Sequence, residues 1–446
     1  MISNYIKLAW RVLGRRKFFT FISLFGISFT LGILMVIFSF LQGELGTNAP
    51  NSNKDDLVIV NTLRLQRIHY DTIPVIDTVM LNGVEVFDTT METRSRGSMR
   101  WNSNMNNGIG EEFLSDLPSA QNRTVFNSDA QYDVYVNGVK LTLQTLFSDA
   151  NYWEIFDHNI IEGRAFDKTD MDQSAQVTVI STKTAKDYFG TTDNIVDREI
   201  LLDGKNYKVI GMYEDKGKII HYISPDLVIP YSNMTLSNQD SYYHGYFSTI
   251  VQKKPDVDAQ NLKAEIEEAA SLIPLDHPSK PEGYNELILM TKTYNEMYAQ
   301  NLYDDDDPTK SLSIMKWILF GLLAFFIILP TLNLINLNVS RIMERSSEIG
   351  VRKAFGAHQG NIIFQFIIEN IIQTILGGLI GLGIAIALMK FINSSGFLGT
   401  NTMIFNTKFF IYSFILTIVF GVVSGFLPAY RMSKLNIVNA LKENKL

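Results

Sequence analysis

The sequence predicts an α-helical membrane protein, a four-span bundle with a large mixed α/β domain inserted after the first span. Three observations predict it. Four stretches, 18–41, 317–337, 362–388 and 409–427, carry a single charged residue between them, Glu369. Each is close to or above the roughly 20 apolar residues that a hydrocarbon core requires. Basic residues gather at one end of each stretch, and the long segment 42–316 has the composition of a soluble domain.

The first span follows Lys7, Arg11, Arg15, Arg16 and Lys17 with no acid before it. Its apolar run exceeds the 7–15 residues of a signal-peptide core, and no small-x-small cleavage site follows closely, so it reads as a retained anchor. The second and third spans enclose Arg341, Arg345, Arg352 and Lys353, and the fourth is followed by Arg431, Lys434, Lys442 and Lys445. These clusters mark the cytoplasmic side. Both termini and the turn at 339–361 are therefore expected in the cytosol. Segments 1–17, 341–361 and 430–446 hold 13 Lys and Arg against three acids, a net +10. With a chain total of −7, the remainder carries −17. That division is what inside-positive sorting produces, and an acidic exterior offers nothing to nucleic acid.

The external segment reads as alternating strands and helices. Runs 57–60 and 177–180 are β-branched, and residues 132–143 alternate around Asn137-Gly138. Residues 200–210 repeat that form around Asp203-Gly204, and both dipeptides are strong hairpin signals. Helices are expected at 183–189, ended by Gly190, and at 258–272, where Leu262, Ile266 and Ala269 or Ala270 form one stripe. Segment 89–110, rich in Ser, Asn, Arg and Met, has little periodicity and reads as a mobile loop or insertion. The run Asp304-Asp-Asp-Asp-Pro308 reads as a flexible, solvated acidic connection.

Cysteine is absent, which excludes disulfides and cysteine-ligated metals. No G-x-x-x-x-G-K-[ST], G-x-S-x-G or H-E-x-x-H occurs. The six histidines are scattered without ligand spacing, and no metal site or catalytic group is expected. Asn333, Asn336 and Asn338 beside Pro330 suit hydrogen bonding between helices. Glu369 inside the third span is either a packing group or a proton relay. Gly377, Gly378, Gly381 and Gly383, with Gly421 and Gly425 in the last span, form small faces for close helix contact.

The stretch Glu344-Arg-Ser-Ser-Glu-Ile-Gly-Val-Arg-Lys-Ala-Phe-Gly-Ala357, continuing to 365–369 and 376–378, resembles the permease signature of MacB-type ABC transporters, the FtsX-like permease family. Gly425-Phe-Leu-Pro428-Ala-Tyr-Arg431 resembles the family's C-terminal motif, although Ile437 stands where members usually carry proline. Asn151-Tyr-Trp-Glu-Ile-Phe156, Glu162-Gly-Arg164, 179–181, Ala185 with Phe189-Gly190, and 207–211 are similar to the family's periplasmic core domain. Residues 62–110 match little of it.

The resemblance divides the chain into 1–45, a cytoplasmic N-terminus and first transmembrane helix; 46–312, the periplasmic core domain; and 313–446, the permease domain. It implies a non-enzymatic, multi-pass inner-membrane permease of the mechanotransmission type, driving efflux or extracytoplasmic transport. The elbow, through Glu344, Arg345, Glu348, Ile349, Gly350, Arg352, Lys353, Phe355 and Gly356, would dock a cytosolic ABC ATPase. Asn336, Glu369, the glycines and Pro428 would pack helices. The chain itself would bind no cofactor; ATP and magnesium would sit on an ATPase made as a separate polypeptide. Expected partners are that ATPase, a second copy or a paralogous permease, the membrane, a periplasmic fusion protein and an outer-membrane channel. A permease-like regulator of cell-wall hydrolases or a signalling complex is the alternative, and a membrane adhesin or receptor a third.

Overall fold

A computed structural model describes residues 14, 17–47, 49–81, 84–216, 220, 222–234, 242–303, 305, 307–343, 350–351, 354–355, 358–395, 403 and 405–433, with the backbone alone at 19, 69–81, 84–90, 92–98, 129, 327, 329–330, 333–334, 337–338, 341–343, 409, 416–417, 420, 424, 427–429 and 431–433. The chain divides into two units, Met1–Gly46 with Ser313–Leu446, and Thr47–Leu312.

The second unit is built on strands β1 (Leu57–Leu81), β2 (Val84–Ser103), β3 (Ala120–Val136), β4 (Val139–Ser148), β5 (Ile160–Gly163), β6 (Val177–Ser181), β7 (Glu199–Leu202), β8 (Lys205–Tyr213), β9 (Leu227–Pro230), β10 (Ser248–Lys253) and β11 (Glu286–Thr293). Their order in one sheet is β11-β1-β10-β3-β4-β9-β6-β8-β5, with β2 beside β1 and β7 beside β8. Pairs β4–β9 and β6–β8 are parallel and the others antiparallel, so the domain is mixed α/β as its pattern predicts.

Turn chemistry accounts for the two expected hairpins. Asn137 and Gly138 have φ of 50° and 81°, and Asp203 and Gly204 have 46° and 75°. Two successive positive φ angles define the turn whose twist suits adjoining antiparallel strands. It closes Val136 on Val139 and Leu202 on Lys205.

Short helices cover the sheet in two places. Helix α5 (Thr182–Phe189) starts at Ser181, whose side chain accepts from the Thr184 N–H, and ends on Gly190 at φ 73°. Helix α6 (Ala259–Ser271) starts at Asp258, which accepts from the Gln260 N–H. Its stripe of Leu262, Ile266, Ala269 and Ala270 is buried against Val58, Val60, Leu287 and Leu289. A second core joins Ala185 of α5 to Leu143, Ile180, Val209 and Ile229. Smaller helices are α2 (Asn107–Phe113), α3 (Tyr152–Ile155), α4 (Lys168–Asp172) and α7 (Tyr294–Tyr303).

Two expectations are corrected. Residues 89–103 are not a loop but most of β2, paired with β1 from Leu63↔Ser103 to Leu81↔Val84, and α2 follows. The connection at 82–83 lies outside the described residues; its sequence, Asn-Gly, carries the same hairpin signal as the other two. The acidic run is not wholly a solvated connection either. Asp307 accepts from the N–H groups of Thr309 and Lys310 and so caps α8 (Pro308–Met343), while Asp305 pairs with Lys310 at 2.6 Å. An aspartate cap followed by proline at the first helical position is a favoured helix start.

The other unit holds α1 (Lys17–Leu45), most of α8, α9 (Gln359–Ser395) and α10 (Thr407–Ser433). Helix α9 packs on α1 and α10. Helix α8 presents Trp317, Phe320 and Phe325 to its surroundings. Among the described residues, 20–45, 308–326 and 359–395 are long and apolar enough to cross a membrane.

Candidate functional site

Within the motif 344–357 four residues are described, 350, 351, 354 and 355. Glu344, Arg345, Glu348, Ile349, Arg352, Lys353 and Gly356 lie outside the described residues. Gly350 is helical and buried, and Val351 is helical and half exposed. The Phe355 N–H donates to the Val351 carbonyl at 3.1 Å, which sets the two side chains one helical turn apart. Phe355 is 87 % exposed. Exposed apolar residues of this kind mark a contact with a protein or with the membrane. Val351 is a residue that the sequence reading passed over, although its i, i+4 spacing from Phe355 was visible.

In α9 a polar stripe lies inside the bundle. Gln365, Glu369, Asn370, Gln373 and Thr374 are all buried. Gln365 donates its amide to the Glu369 carboxylate at 3.0 Å, and the Asn370 amide donates to the Phe366 carbonyl at 3.0 Å. Glycines let neighbouring helices approach this face. A methyl group on Gly421 would meet the Thr374 hydroxyl, and one on Gly425 the Asn370 amide. On the α1 side, a methyl on Gly377 would lie 2.7 Å from Ile27 and one on Gly381 2.7 Å from the Ser28 carbonyl. Gly378 faces the Phe414 ring, and Gly383 faces open space. Asn336 is exposed on α8, and Pro428 lies within α10, described by its backbone alone.

In the external unit the motif residues build structure. In Asn151–Phe156, Tyr152, Ile155 and Phe156 are fully buried. The Tyr152 hydroxyl donates to the Tyr222 carbonyl at 3.0 Å and lies 2.9 Å from His158 Nε2. Its one proton is thus committed, so Nε2 carries the hydrogen and Nδ1 is bare, without a partner among the described residues. The carboxylate of Glu162 accepts from the N–H groups of Ile195 and Val196 at 3.1 and 3.2 Å. Arg164 grips Asp170 through two nitrogens at 2.6 and 2.9 Å. A cavity of about 440 Å³ is lined by uncharged polar groups, among them Gln131, Gln144 and Asn301. Among the described residues no group of His, Asp and Glu could hold a metal ion.

Two partly buried groups give the unit a pH dependence. Burial pushes His158 down from 6.5 to about 3, only partly opposed by Asp157. Burial pushes Asp149 up from 3.8 to about 6, despite hydrogen bonds from Thr124 and Val125. The depressed histidine stabilises the fold above pH 6.5 and loses that contribution as pH falls towards 3. The raised aspartate stabilises it below pH 3.8 and loses that contribution as pH rises through 6. Between pH 6 and 4 the two slopes oppose. Asp149→Asn removes one of them. Its urea-unfolding free energy, followed by tryptophan fluorescence, should therefore fall by about 1.4 kcal/mol per pH unit relative to the parent chain between pH 6 and 4. Parallel curves for the two proteins would refute the assignment.

The external unit and the membrane helices together have the make-up of a multi-span permease carrying a large soluble domain. The MacB-like periplasmic core domain family matches residues 20–269, and the FtsX-like permease C-terminal family matches residues 320–437. The chain belongs to the MacB-type permeases. It is similar to the macrolide export ATP-binding/permease protein MacB of Psychrobacter arcticus, 27 % identical over 298 residues, which are 66 % of this chain and 42 % of the relative. It is similar to the pyoverdine export ATP-binding/permease protein PvdT of Pseudomonas syringae pv. syringae, 27 % identical over 299 residues, with the same shares of the two chains. The ABC transporter permease YknZ of Bacillus subtilis is 24 % identical over 314 residues, 70 % of this chain and 71 % of that one. The chain thus spans 42 % of the length of the two export proteins. Among solved structures, the periplasmic region of MacB from Actinobacillus actinomycetemcomitans matches 46 % of this chain and 85 % of that one, with 20 % identity and a TM-score of 0.35.

Proposed function

We propose that the chain is the permease of a mechanotransmission-type ABC exporter. The observation that carries this reading is the order of the two matched families, with the charged elbow inside the second. In this reading α10 is the fourth span, both termini and the elbow are cytosolic, and the large domain is periplasmic at the inner membrane. The relatives' names speak of ATP binding, macrolide export and pyoverdine export. These 446 residues hold no phosphate-cradling loop, so ATP and magnesium belong to a cytosolic ABC ATPase outside them. The assembly contains two permeases, either copies of this chain or this chain with a paralogue. A periplasmic fusion protein and an outer-membrane channel complete the export route.

The chemistry asked of this chain is mechanical. Closure of the ATPase pair around ATP favours one arrangement of the elbows, and the differential affinity for that arrangement shifts the permease equilibrium. The tightly packed α1, α9 and α10 transmit the shift as a body, since glycine contacts leave little slack. The purified chain in proteoliposomes should hydrolyse no ATP, and adding its ATPase should give membrane-dependent turnover. Sustained hydrolysis by the chain alone would refute the proposal.

A further inference from the structure

The long hairpin of β1 and β2 has no role in the proposed transmission. Strand β11 accompanies β1 only as far as Gln66↔Glu286, whereas β1 and β2 remain paired to Leu81↔Val84. Beyond Gln66, neither strand has a third strand beside it among the described residues. The free ribbon is roughly 50 Å long at about 3.3 Å per residue. A two-stranded ribbon is marginal in water by itself, and open edges invite pairing. Met91 and Met99 on β2 are 69 % and 61 % exposed. Half of the outer part is apolar, with Ile73, Ile76, Val79, Leu81, Val86 and Phe87 among its residues. The ribbon is therefore built to be covered.

Its charge pattern says by what. The outer part, residues 72–93, has four carboxylates, Asp77, Glu85, Asp88 and Glu92, and no basic residue, a net −4. The base of the free ribbon, residues 67–71 and 94–99, has Arg67, Arg94 and Arg96 against Asp71 alone, a net +2, and Arg64 and Arg100 follow at its root. The register brings each half together on both strands, since Asp77 faces Asp88 and Gln66 faces Arg100. A ribbon negative at its tip and positive at its base is complementary to itself in one arrangement, two copies side by side and antiparallel. A two-fold axis near Thr93 then sets each tip against the other's base, which is the isologous contact that symmetric dimers use.

We propose that the ribbon is a dimerisation arm that pairs antiparallel with the arm of a second copy of this chain. Parallel pairing sets −4 against −4 and +2 against +2, and like-charge repulsion disfavours it. The arm rests on the proposed two-permease assembly and makes it a homodimer. It also gives the periplasmic side a contact of its own.

The absence of cysteine makes a direct test possible, because every thiol present is an introduced one. Two differently tagged full-length copies, one carrying Thr89→Cys near the tip and the other Ser98→Cys near the base, are co-expressed and treated in membranes with a short bis-maleimide. The expected result is a crosslinked pair carrying both tags, with little adduct when either variant is expressed alone. Glu85→Lys, Asp88→Lys and Glu92→Lys in both copies should lower the mixed adduct by about tenfold or more. Adding Arg67→Glu, Arg94→Glu and Arg96→Glu should restore it. Tip-to-tip adducts, no adduct in any mixture, or failure of the second reversal to restore the first would each overturn the proposal. ATPase turnover tests the two-permease machine separately, so loss of the adduct with turnover intact would count against the arm alone.

Discussion

The double variant Glu348→Lys with Gly356→Trp should insert into the membrane with its external unit folded, yet fail to recruit the ATPase or support transport. Glu348 and Arg352 are four residues apart, so on a helix they share a face and can pair with each other or with a partner. Reversing the acid leaves two cations on that face. Gly356 follows Phe355, which is more exposed than Val351, the other large apolar side chain described in the motif. An indole there would hold a partner's backbone away from it. Interface anchors of this type cost about 2 kcal/mol or more each when lost. Two together weaken binding by about a thousandfold. Co-purification of the ATPase from detergent measures the effect, and unchanged recovery would remove the elbow as the docking site.

Gly163→Val should unfold or severely weaken the external unit. Gly163 adopts φ of 75°, where a side chain costs about 1–2 kcal/mol. A methyl there would also strike the Ile210 carbonyl and lie 2.8 Å from Val196. The carbonyl cannot retreat, because it accepts from the Arg164 N–H at 2.9 Å. Strain and overlap together should cost about 4 kcal/mol or more. Gly204→Ala is the control, since Gly204 has the same φ and open space around it. It should cost about 1 kcal/mol. Urea unfolding followed by tryptophan fluorescence separates the two, and equal losses would show that the β5–β8 contact adds nothing to the backbone term.

What could be read from the sequence follows what the physics forces residues to declare. Asn137-Gly138 and Asp203-Gly204 were legible because two positive φ angles admit few residues. The α6 stripe was legible because one face of a helix must be buried against the sheet. The β1–β2 ribbon escaped because beyond Gln66 no third strand accompanies it among the described residues, so no sheet face demands period-two alternation there. Its one signal, Asn82-Gly83, stands just before segment 89–110, which has little periodicity. His158 escaped because a lone histidine has no spacing to betray it; only its neighbours in space, Tyr152 and Trp153, give it meaning. In α9, Glu369 stood out as a charge, but Gln365, Asn370, Gln373 and Thr374 belong to the same buried face and were passed over. Their i, i+4 spacing was the available sign. Asp307 was lost in a run of four acids, of which only position relative to Pro308 marks the cap.

In the proposed machine the elbow meets an ABC ATPase in the cytosol. Photo-crosslinking from Phe355 tests it most directly, with a benzophenone amino acid replacing that residue in the full chain in native membranes. The main adduct, identified by mass spectrometry, should be an ABC ATPase, and it should disappear in the Glu348→Lys, Gly356→Trp background. Adducts only to lipid, to this chain itself or to periplasmic proteins would contradict it.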